Sequence, residues 1–123
     1  MPRSILEWQK AIHEENVRKG WWKGVEDLPL KIGNSAHRDV VTGKLLLIVT
    51  EIAEATEEMR EGHAFDAVRS EDGKPCGFPT ELADAVIRIF DLADACGINI
   101  DAEMERKHAY NRTRPHRHGG KLL

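Results

Sequence analysis

The chain has 123 residues, of which 32% are charged and 41% hydrophobic, and its formal net charge is −3. This size predicts one domain, residues 1–123, with a modest core, and no apolar run approaches the roughly 18 residues that a membrane span needs. The N-terminus becomes polar before any apolar stretch develops, which excludes a signal-peptide pattern. Cys76 and Cys96 have no CxxC or zinc spacing, so we expect free thiols in a cytoplasmic protein.

Charge is distributed unevenly along the chain. From Arg106 onward there are six Lys or Arg and no Asp or Glu, so residues 1–105 hold the other 12 bases and all 21 acids, a formal charge of −9. An acidic body with a basic C-terminal end favours a partner with both cations and anions, such as a metal-chelated polyphosphate, and a nonspecific basic tail is the alternative. Nucleic-acid binding is not expected, because the chain is net acidic and has no DNA- or RNA-reading motif.

The first predicted helix begins after Ser4, forms a capping box with the glutamate three residues on, and runs to about Lys19. His13 is expected on its surface. Trp21 and Trp22 follow, and paired aromatics at a helix exit either stack on a nucleobase or pack in a core or lid, with Trp21 as our candidate for base contact. Residues 23–36 lack periodicity and predict an ordered loop, long enough to be a lid candidate.

A second helix is predicted over about Arg38 to Arg60, or from Thr42 if Gly43 delays its start. Five residues at helical spacing predict its buried face: Leu45, Ile48, Ile52, Ala55 and Met59.

Acidic side chains flank this stripe. Glu51 and Glu54 lie three residues apart, with Glu58 a turn further on. Like charges at this spacing repel, and a carboxylate near a buried seam needs a cation or donors around it. A divalent metal would supply the cation, while a solvated acidic face is the alternative.

Residues 63–77 break the periodicity and allow a short hairpin but not a sheet. Thr80 is then the predicted cap of a third helix that ends at Gly97. This helix carries a charged stripe at helical spacing: Glu81, Asp84, Arg88 and Asp91. Acid therefore flanks an apolar seam a second time.

Asn99 or Asp101 opens a fourth helix that must end before Pro115, and residues 115–123 are predicted to be a flexible tail. One face of this helix offers donors suited to phosphate oxygens, from Lys107, Asn111 and Arg114. A solvated basic face is the alternative.

Four helices joined by loops predict an all-α four-helix bundle in which helices two and three form an antiparallel pair with facing acidic stripes. Four carboxylates converging there would suit Mg²⁺ or Mn²⁺ rather than softer metals. With phosphate donors on helix four, this combination matches the needs of nucleoside triphosphate hydrolysis.

The sequence resembles the MazG-like, all-α nucleoside triphosphate pyrophosphohydrolases, whose signature is ExxE followed at variable distance by ExxD. Here these motifs are Glu51-Ile-Ala-Glu54 and Glu81-Leu-Ala-Asp84, with 26 residues between them. The likeness covers roughly residues 37–121 and includes a KxxxNxxRP element, KHAYNRTRP, near the C-terminus. The pairing of that element with the acidic motifs makes the resemblance fairly specific.

The resemblance implies a Mg²⁺ site formed by Glu51, Glu54, Glu81 and Asp84, with Glu54 as the catalytic candidate. It implies that Lys107, Asn111 and Arg114 contact the substrate phosphates. The implied reaction is attack of a metal-bound water on an NTP or dNTP, which yields the monophosphate and pyrophosphate in nucleotide-pool housecleaning. The resemblance further implies a homodimer or homotetramer, since family members complete their active sites by packing one subunit's helices against another's.

This chain departs from the family in having Thr50 where many members have a second acidic residue directly before the ExxE motif. The general base is therefore open among Glu54, Glu58 and a metal-bound hydroxide that acts without a dedicated base. Two other functions compete. A di-iron carboxylate bundle needs two Glu-x-x-His motifs, and only Glu105-Arg-Lys-His108 is present. A non-catalytic, nucleotide-binding helical oligomer could also keep this scaffold.

Overall fold

A computed structural model describes all 123 residues. Its elements, in chain order, are helices α1 (Ile5–Arg18) and α2 (Ser35–Arg60), strands β1 (Arg69–Glu71) and β2 (Lys74–Cys76), helices α3 (Phe78–Ala95) and α4 (Ile100–Arg112), and a single C-terminal turn, α5 (Arg117–Gly120). The strands pair antiparallel as one hairpin. The all-α class is confirmed, and so is the short hairpin.

Side-chain caps decide where three of the helices begin. Ser4 and Glu7 form the predicted capping box of α1, each side chain accepting from the other residue's backbone N–H. Asn99 caps α4 in the predicted place. The predicted start of α2 is wrong, because the side chain of Asn34 accepts from the backbone of His37 and opens the helix at Ser35.

The predicted cap of α3 at Thr80 is also wrong. The helix begins at Phe78, and its N-cap is Gly77, whose φ of 135° lies in a region that favours glycine. Pro79 fits within the first turn, because the first N–H groups of a helix have no intrahelical acceptor. The proline therefore lies inside the helix and does not precede it.

α3 is the central helix, with α2 packed on one side and α1 on the other, while α4 packs mainly on α1. The buried hydrophobic side chains are four alanines, one leucine and one tryptophan: Trp22, Ala55, Ala85, Leu92, Ala93 and Ala95. Neither α2 nor α3 packs extensively against α4. One chain is thus an open arrangement of helices and not a closed bundle.

The predicted buried face of α2 is wrong for a single chain. Only Ala55 of that stripe is buried, while Leu45 and Ile52 are 51% and 53% exposed. The buried residues of α2 are instead His37, Glu51 and Ala55, which lie on the edge that meets its neighbours. The apolar stripe stays open because nothing in the chain packs over it.

The chain exposes more surface than its mass requires. Its accessible area is 9309 Å² and only 11 of its 123 residues are buried. A compact folded monomer of 13.9 kDa exposes about 6,700 Å² by the usual scaling. No helix combines the length and the hydropathy required to cross a bilayer.

The loop between α1 and α2 is held by hydrogen bonds at several points. The ring of His37 accepts from the backbone of Lys31 at Nδ1 (3.0 Å), and its Nε2 lies 2.8 Å from the carbonyl oxygen of Glu26. Further along, the backbone N–H of Leu30 donates to the carbonyl oxygen of Ala95 on α3 (2.8 Å). The loop is therefore ordered, as predicted.

Candidate functional site

α2 and α3 run antiparallel and carry a cluster of carboxylates across their seam. One carboxylate oxygen each of Glu51, Glu81 and Asp84 lies within 4.8 Å of the others. Glu51 is buried, and the other two are partly buried. The helix pair thus brings together three of the four carboxylates expected to bind metal.

Glu54, the fourth carboxylate, lies next to this cluster but outside that 4.8 Å group. It is exposed, and it is near enough to Glu81 to raise the pKa of that carboxyl. Glu54 is thus placed at the solvent side of the cluster.

The cluster has an excess of negative charge. Burial, followed by the neighbouring Glu54 and Glu51, raises the pKa of Glu81 to about 7. Burial and the charge of Glu51 also raise the pKa of Asp84. Burial acts to raise the pKa of Glu51 as well, but its hydrogen bond to Arg88 and the charge of that guanidinium outweigh burial and leave the pKa lowered.

One atom of the cluster lacks a partner. Oε2 of Glu81 is buried and accepts no hydrogen bond, although buried polar atoms are almost always satisfied. A hard divalent cation would satisfy this oxygen and offset the repulsion among the carboxylates. The donor atoms are all oxygens, the set that Mg²⁺ and Mn²⁺ prefer, so the residues fit the metal that the sequence led us to expect.

Arg88 supplies the only guanidinium bound to the cluster. Its Nε donates to Oε1 of Glu51 at 2.8 Å. Its spacing predicted that Arg88 lies on the charged stripe of α3, but nothing in the sequence indicated a role for it. The bond joins α3 to the one carboxylate of the cluster that is buried.

A second acidic group lies at the end of α2, where Glu58, Glu61 and His63 offer ligand atoms within 4.8 Å of one another. Arg69 of the hairpin already neutralises it, through bonds from its two terminal nitrogens to the two oxygens of Glu58 (2.9 and 3.0 Å). The Arg69 bonds and the neighbouring His63 hold the pKa of Glu58 at about 2. This group anchors the hairpin to α2.

The predicted phosphate contacts lie elsewhere in the chain. Lys107, Asn111 and Arg114 are on or just after α4, which packs mainly on α1. The cationic ends of Lys107 and Arg114 lie 5.1 and 5.8 Å from the ring centre of Tyr110, and no hydrogen bond or ion pair joins any of the three to the carboxylates. One chain therefore does not unite the two halves of the predicted site.

The two tryptophans have different environments. Trp21, the candidate for base contact, is 68% exposed. Trp22 is buried, and its indole N–H donates to Asp91 (2.9 Å), while the Nζ of Lys44 lies 4.5 Å from the centre of its ring. Of these two tryptophans, only Trp21 has an indole face that a ligand could contact.

A buried hydrogen-bond network that the sequence did not predict is centred on Asp91 of α3. Its carboxylate binds His13 (2.7 Å), Asn16 (2.9 Å) and Trp22, and so joins α1 and the loop to α3. The expectation that His13 lies on a helix surface is wrong, since only 13% of its side chain is exposed. His13 and Asn16 are three residues apart on α1, which was the only signal in the sequence.

Comparison with known proteins yields no relative: no protein-family model, no curated protein and no solved structure matches the chain. The function of the chain must therefore be inferred from its own residues and from the motifs that they form.

Proposed function

We propose that this protein is a Mg²⁺-dependent nucleoside triphosphate pyrophosphohydrolase. The observation that carries the proposal is the convergence of Glu51, Glu81 and Asp84 around a buried, unpartnered carboxylate oxygen of Glu81. These are the residues that the ExxE and ExxD motifs of the MazG-like resemblance assign to metal. Three carboxylates this close together destabilise a helix seam that has only a structural role, whereas a metal site requires them.

Glu51, Glu54, Glu81 and Asp84 would hold the metal, with Mn²⁺ as a possible substitute. When bound, Mg²⁺ stabilises negative charge on phosphoryl oxygens and makes water more acidic. Glu54 is also the best placed general base, because its exposed carboxylate borders the cluster and forms no ion pair with a Lys or Arg of the chain. Glu58 suits the role poorly, since the two bonds from Arg69 keep it ionised and occupied.

The substrate phosphates need more donors than Arg88, the one guanidinium that a single chain brings to the carboxylates. We assign that role to Lys107, Asn111 and Arg114 of a second subunit in a homodimer or homotetramer. The large accessible area and the open apolar stripe of α2 support such an assembly. Trp21 is exposed and offers an aromatic face for a nucleobase.

The test is pyrophosphate release from a panel of canonical and modified NTPs and dNTPs, with Mg²⁺ and with EDTA. We expect metal-dependent release of monophosphate and pyrophosphate, and a loss of at least about 100-fold in the Glu81→Gln variant. Glu57→Gln is the matched control, because Glu57 lies on the exposed side of α2 and pairs only with Arg60.

No pyrophosphate release by the folded protein across the panel would overturn the proposal. Nucleotide binding without turnover would then favour a non-catalytic nucleotide-binding oligomer. Full activity of the Glu81→Gln variant would remove this cluster from the mechanism.

A further inference from the structure

We propose that Arg88 is an exchangeable counter-ion of the carboxylate cluster: a divalent cation displaces it from Glu51, and the freed guanidinium then binds the substrate phosphates. The metal step stands on the contacts of the cluster alone. The phosphate step also rests on the proposed function.

The contacts of Arg88 carry the metal step. It follows Glu81 by seven residues and Asp84 by four, so all three lie on one face of α3. Its Nε donates to Glu51 at 2.8 Å, and the charge of Arg88 also acts on Asp84. Arg88 is thus the one cation bonded to the cluster, while the charge of Lys74 acts more weakly on Asp84.

The two sides of this ion pair differ in their freedom. The Glu51 side chain is 8% exposed and that of Arg88 is 40% exposed. Withdrawing the arginine into solvent is therefore far easier than moving the carboxylate, because a hydrated guanidinium is stable and a buried, unpaired carboxylate is not. A metal bound to the Glu51 carboxylate replaces the acceptor of Arg88 Nε, so the arginine no longer has an ion pair that holds it at the cluster.

Arg88 and the metal compete in two ways. Both need the carboxylate of Glu51, and a positive charge beside the cluster repels a dication. Each effect weakens metal binding while Arg88 is in place. Arg88 thereby keeps the cluster folded without metal, at the expense of metal affinity.

The terminal nitrogens of Arg88 carry the phosphate step. Only Nε bonds to the protein, so both terminal groups lack a protein acceptor. A guanidinium with free terminal N–H groups suits two-point binding of a phosphate, which a metal in the cluster would hold nearby. The same arginine can thus pair with the carboxylates before a metal binds and with the substrate phosphates afterwards.

The metal step is tested by titrating Mn²⁺ into the nucleotide-free protein, with calorimetry or with the EPR signal of free Mn²⁺ as the readout. We expect Arg88→Gln to bind Mn²⁺ about tenfold more tightly than the wild type, because both the competitor and the repulsion are gone. Arg18→Gln is the control: it removes the same charge from an exposed pair with Glu15 on α1 and should leave the affinity unchanged. Unchanged or weaker Mn²⁺ binding by Arg88→Gln overturns the metal step.

A second measurement uses the wild-type protein, so it does not depend on the variant folding. The Nε–H signal of Arg88, assigned in the wild type through its through-bond correlations to the Arg88 side chain, is followed by ¹⁵N NMR during a Mg²⁺ titration. We expect it to move towards the position of solvent-exposed arginines and to lose protection from exchange with water. A signal that stays bonded at saturating Mg²⁺ overturns the metal step.

The phosphate step is tested with a non-hydrolysable triphosphate at saturating Mn²⁺. We expect Arg88→Gln to bind it at least about tenfold more weakly than the wild type, since each charged hydrogen bond to the phosphate contributes about tenfold or more. Equal affinity overturns this step. Failure of the wild type to bind any nucleotide overturns both this step and the proposed function, whereas the Mn²⁺ titration decides the metal step on its own.

Discussion

Glu81 is the side chain at which burial and repulsion among the carboxylates are concentrated. Its pKa is raised from 4.5 to about 7, so the native state holds its proton more tightly than the unfolded chain does. The unfolded chain loses that proton first as the pH rises, and the free energy of unfolding should fall between about pH 4.5 and pH 7 in EDTA. Glu81→Gln carries no titrating group there and should lose this contribution to the slope.

Urea unfolding in EDTA at several pH values across this window measures the slope. Glu57→Gln is the control, because Glu57 is exposed and pairs only with Arg60. A Glu81→Gln protein that keeps the slope of the wild type would contradict the assignment.

Asp91 is expected to matter for stability. Replacing it with alanine leaves three donors, on His13, Asn16 and Trp22, without their acceptor in a mostly buried position. Removing one partner of a buried charged network costs about 3 kcal/mol or more. Urea unfolding of Asp91→Ala at neutral pH measures this cost.

Asp66→Ala serves as the control for that variant, because Asp66 is exposed and makes no side-chain hydrogen bond. A loss within about 0.5 kcal/mol is expected there, as for most surface substitutions. Equal losses for the two variants would show that the network contributes little.

At the level of single residues, part of the site could be predicted from the spacing of the acidic residues. Glu51, Glu81 and Asp84 each lie beside an apolar seam, so an antiparallel helix pair is enough to bring them together. The partners of Asp91 could not be predicted in the same way. Asp91 lies ten residues, about 15 Å, further along α3 than Glu81, and there its carboxylate meets α1 and the loop instead of α2.

Among the elements, the start of α3 controls where Glu81 and Asp84 are held. Gly77 caps this helix, and its carbonyl oxygen accepts from the N–H of Glu81 (3.1 Å). A Cβ at Gly77 would overlap the carbonyl oxygen of Ala67, at a φ that side chains rarely adopt. Gly77→Ala should therefore lower the free energy of unfolding by about 2 kcal/mol or more and weaken Mn²⁺ binding.

Gly43 provides the matched comparison, since it lies within α2 and a Cβ there would meet nothing within 4 Å. Gly43→Ala should raise the free energy of unfolding by about 1 kcal/mol, because alanine favours the helix. Urea unfolding of the two variants measures both changes. A Gly77→Ala protein as stable as the wild type would show that the start of α3 adapts easily.

The sequence predicted some element boundaries and missed others for local reasons. Asp72 and Gly73 both have positive φ (53° and 80°), and this aspartate–glycine pair makes the hairpin turn predictable. The starts of α2 and α3 were missed, because Asn34 and Gly77 cap them ahead of the residues whose periodicity gave the signal. Caps lie outside the periodic stretch, so periodicity does not locate them.

The whole molecule differs most from the bundle that the sequence predicted. The stripe containing Leu45 and Ile52 was expected to be buried, and periodicity was right that these residues share a face. It cannot say what covers that face, and within one chain nothing does. The accessible area of 9309 Å², well above the scaling for a compact monomer, points to the same missing contact.

An assembly that covers α2 would bury this stripe and bring a second chain near the carboxylates. Leu45→Asp places a charge on the stripe, six residues away from Glu51. A buried, unpaired charge costs several kcal/mol, so the variant should dissociate at concentrations about 100-fold higher than the wild type does. Under the proposed function, pyrophosphate release should fall in proportion to the fraction of separated chains, because Lys107, Asn111 and Arg114 would no longer reach the carboxylate cluster.

Sedimentation velocity across a range of concentrations, with pyrophosphate release measured on the same samples, tests both expectations. Leu122→Asp is the control, because Leu122 lies in the C-terminal segment, is 91% exposed and receives the same new charge. It should leave assembly and activity unchanged. If the wild type sediments as a single chain and still releases pyrophosphate at its full rate, one chain contains the complete site, and the donors to phosphate must then come from residues near the cluster, with Arg88 the first to examine.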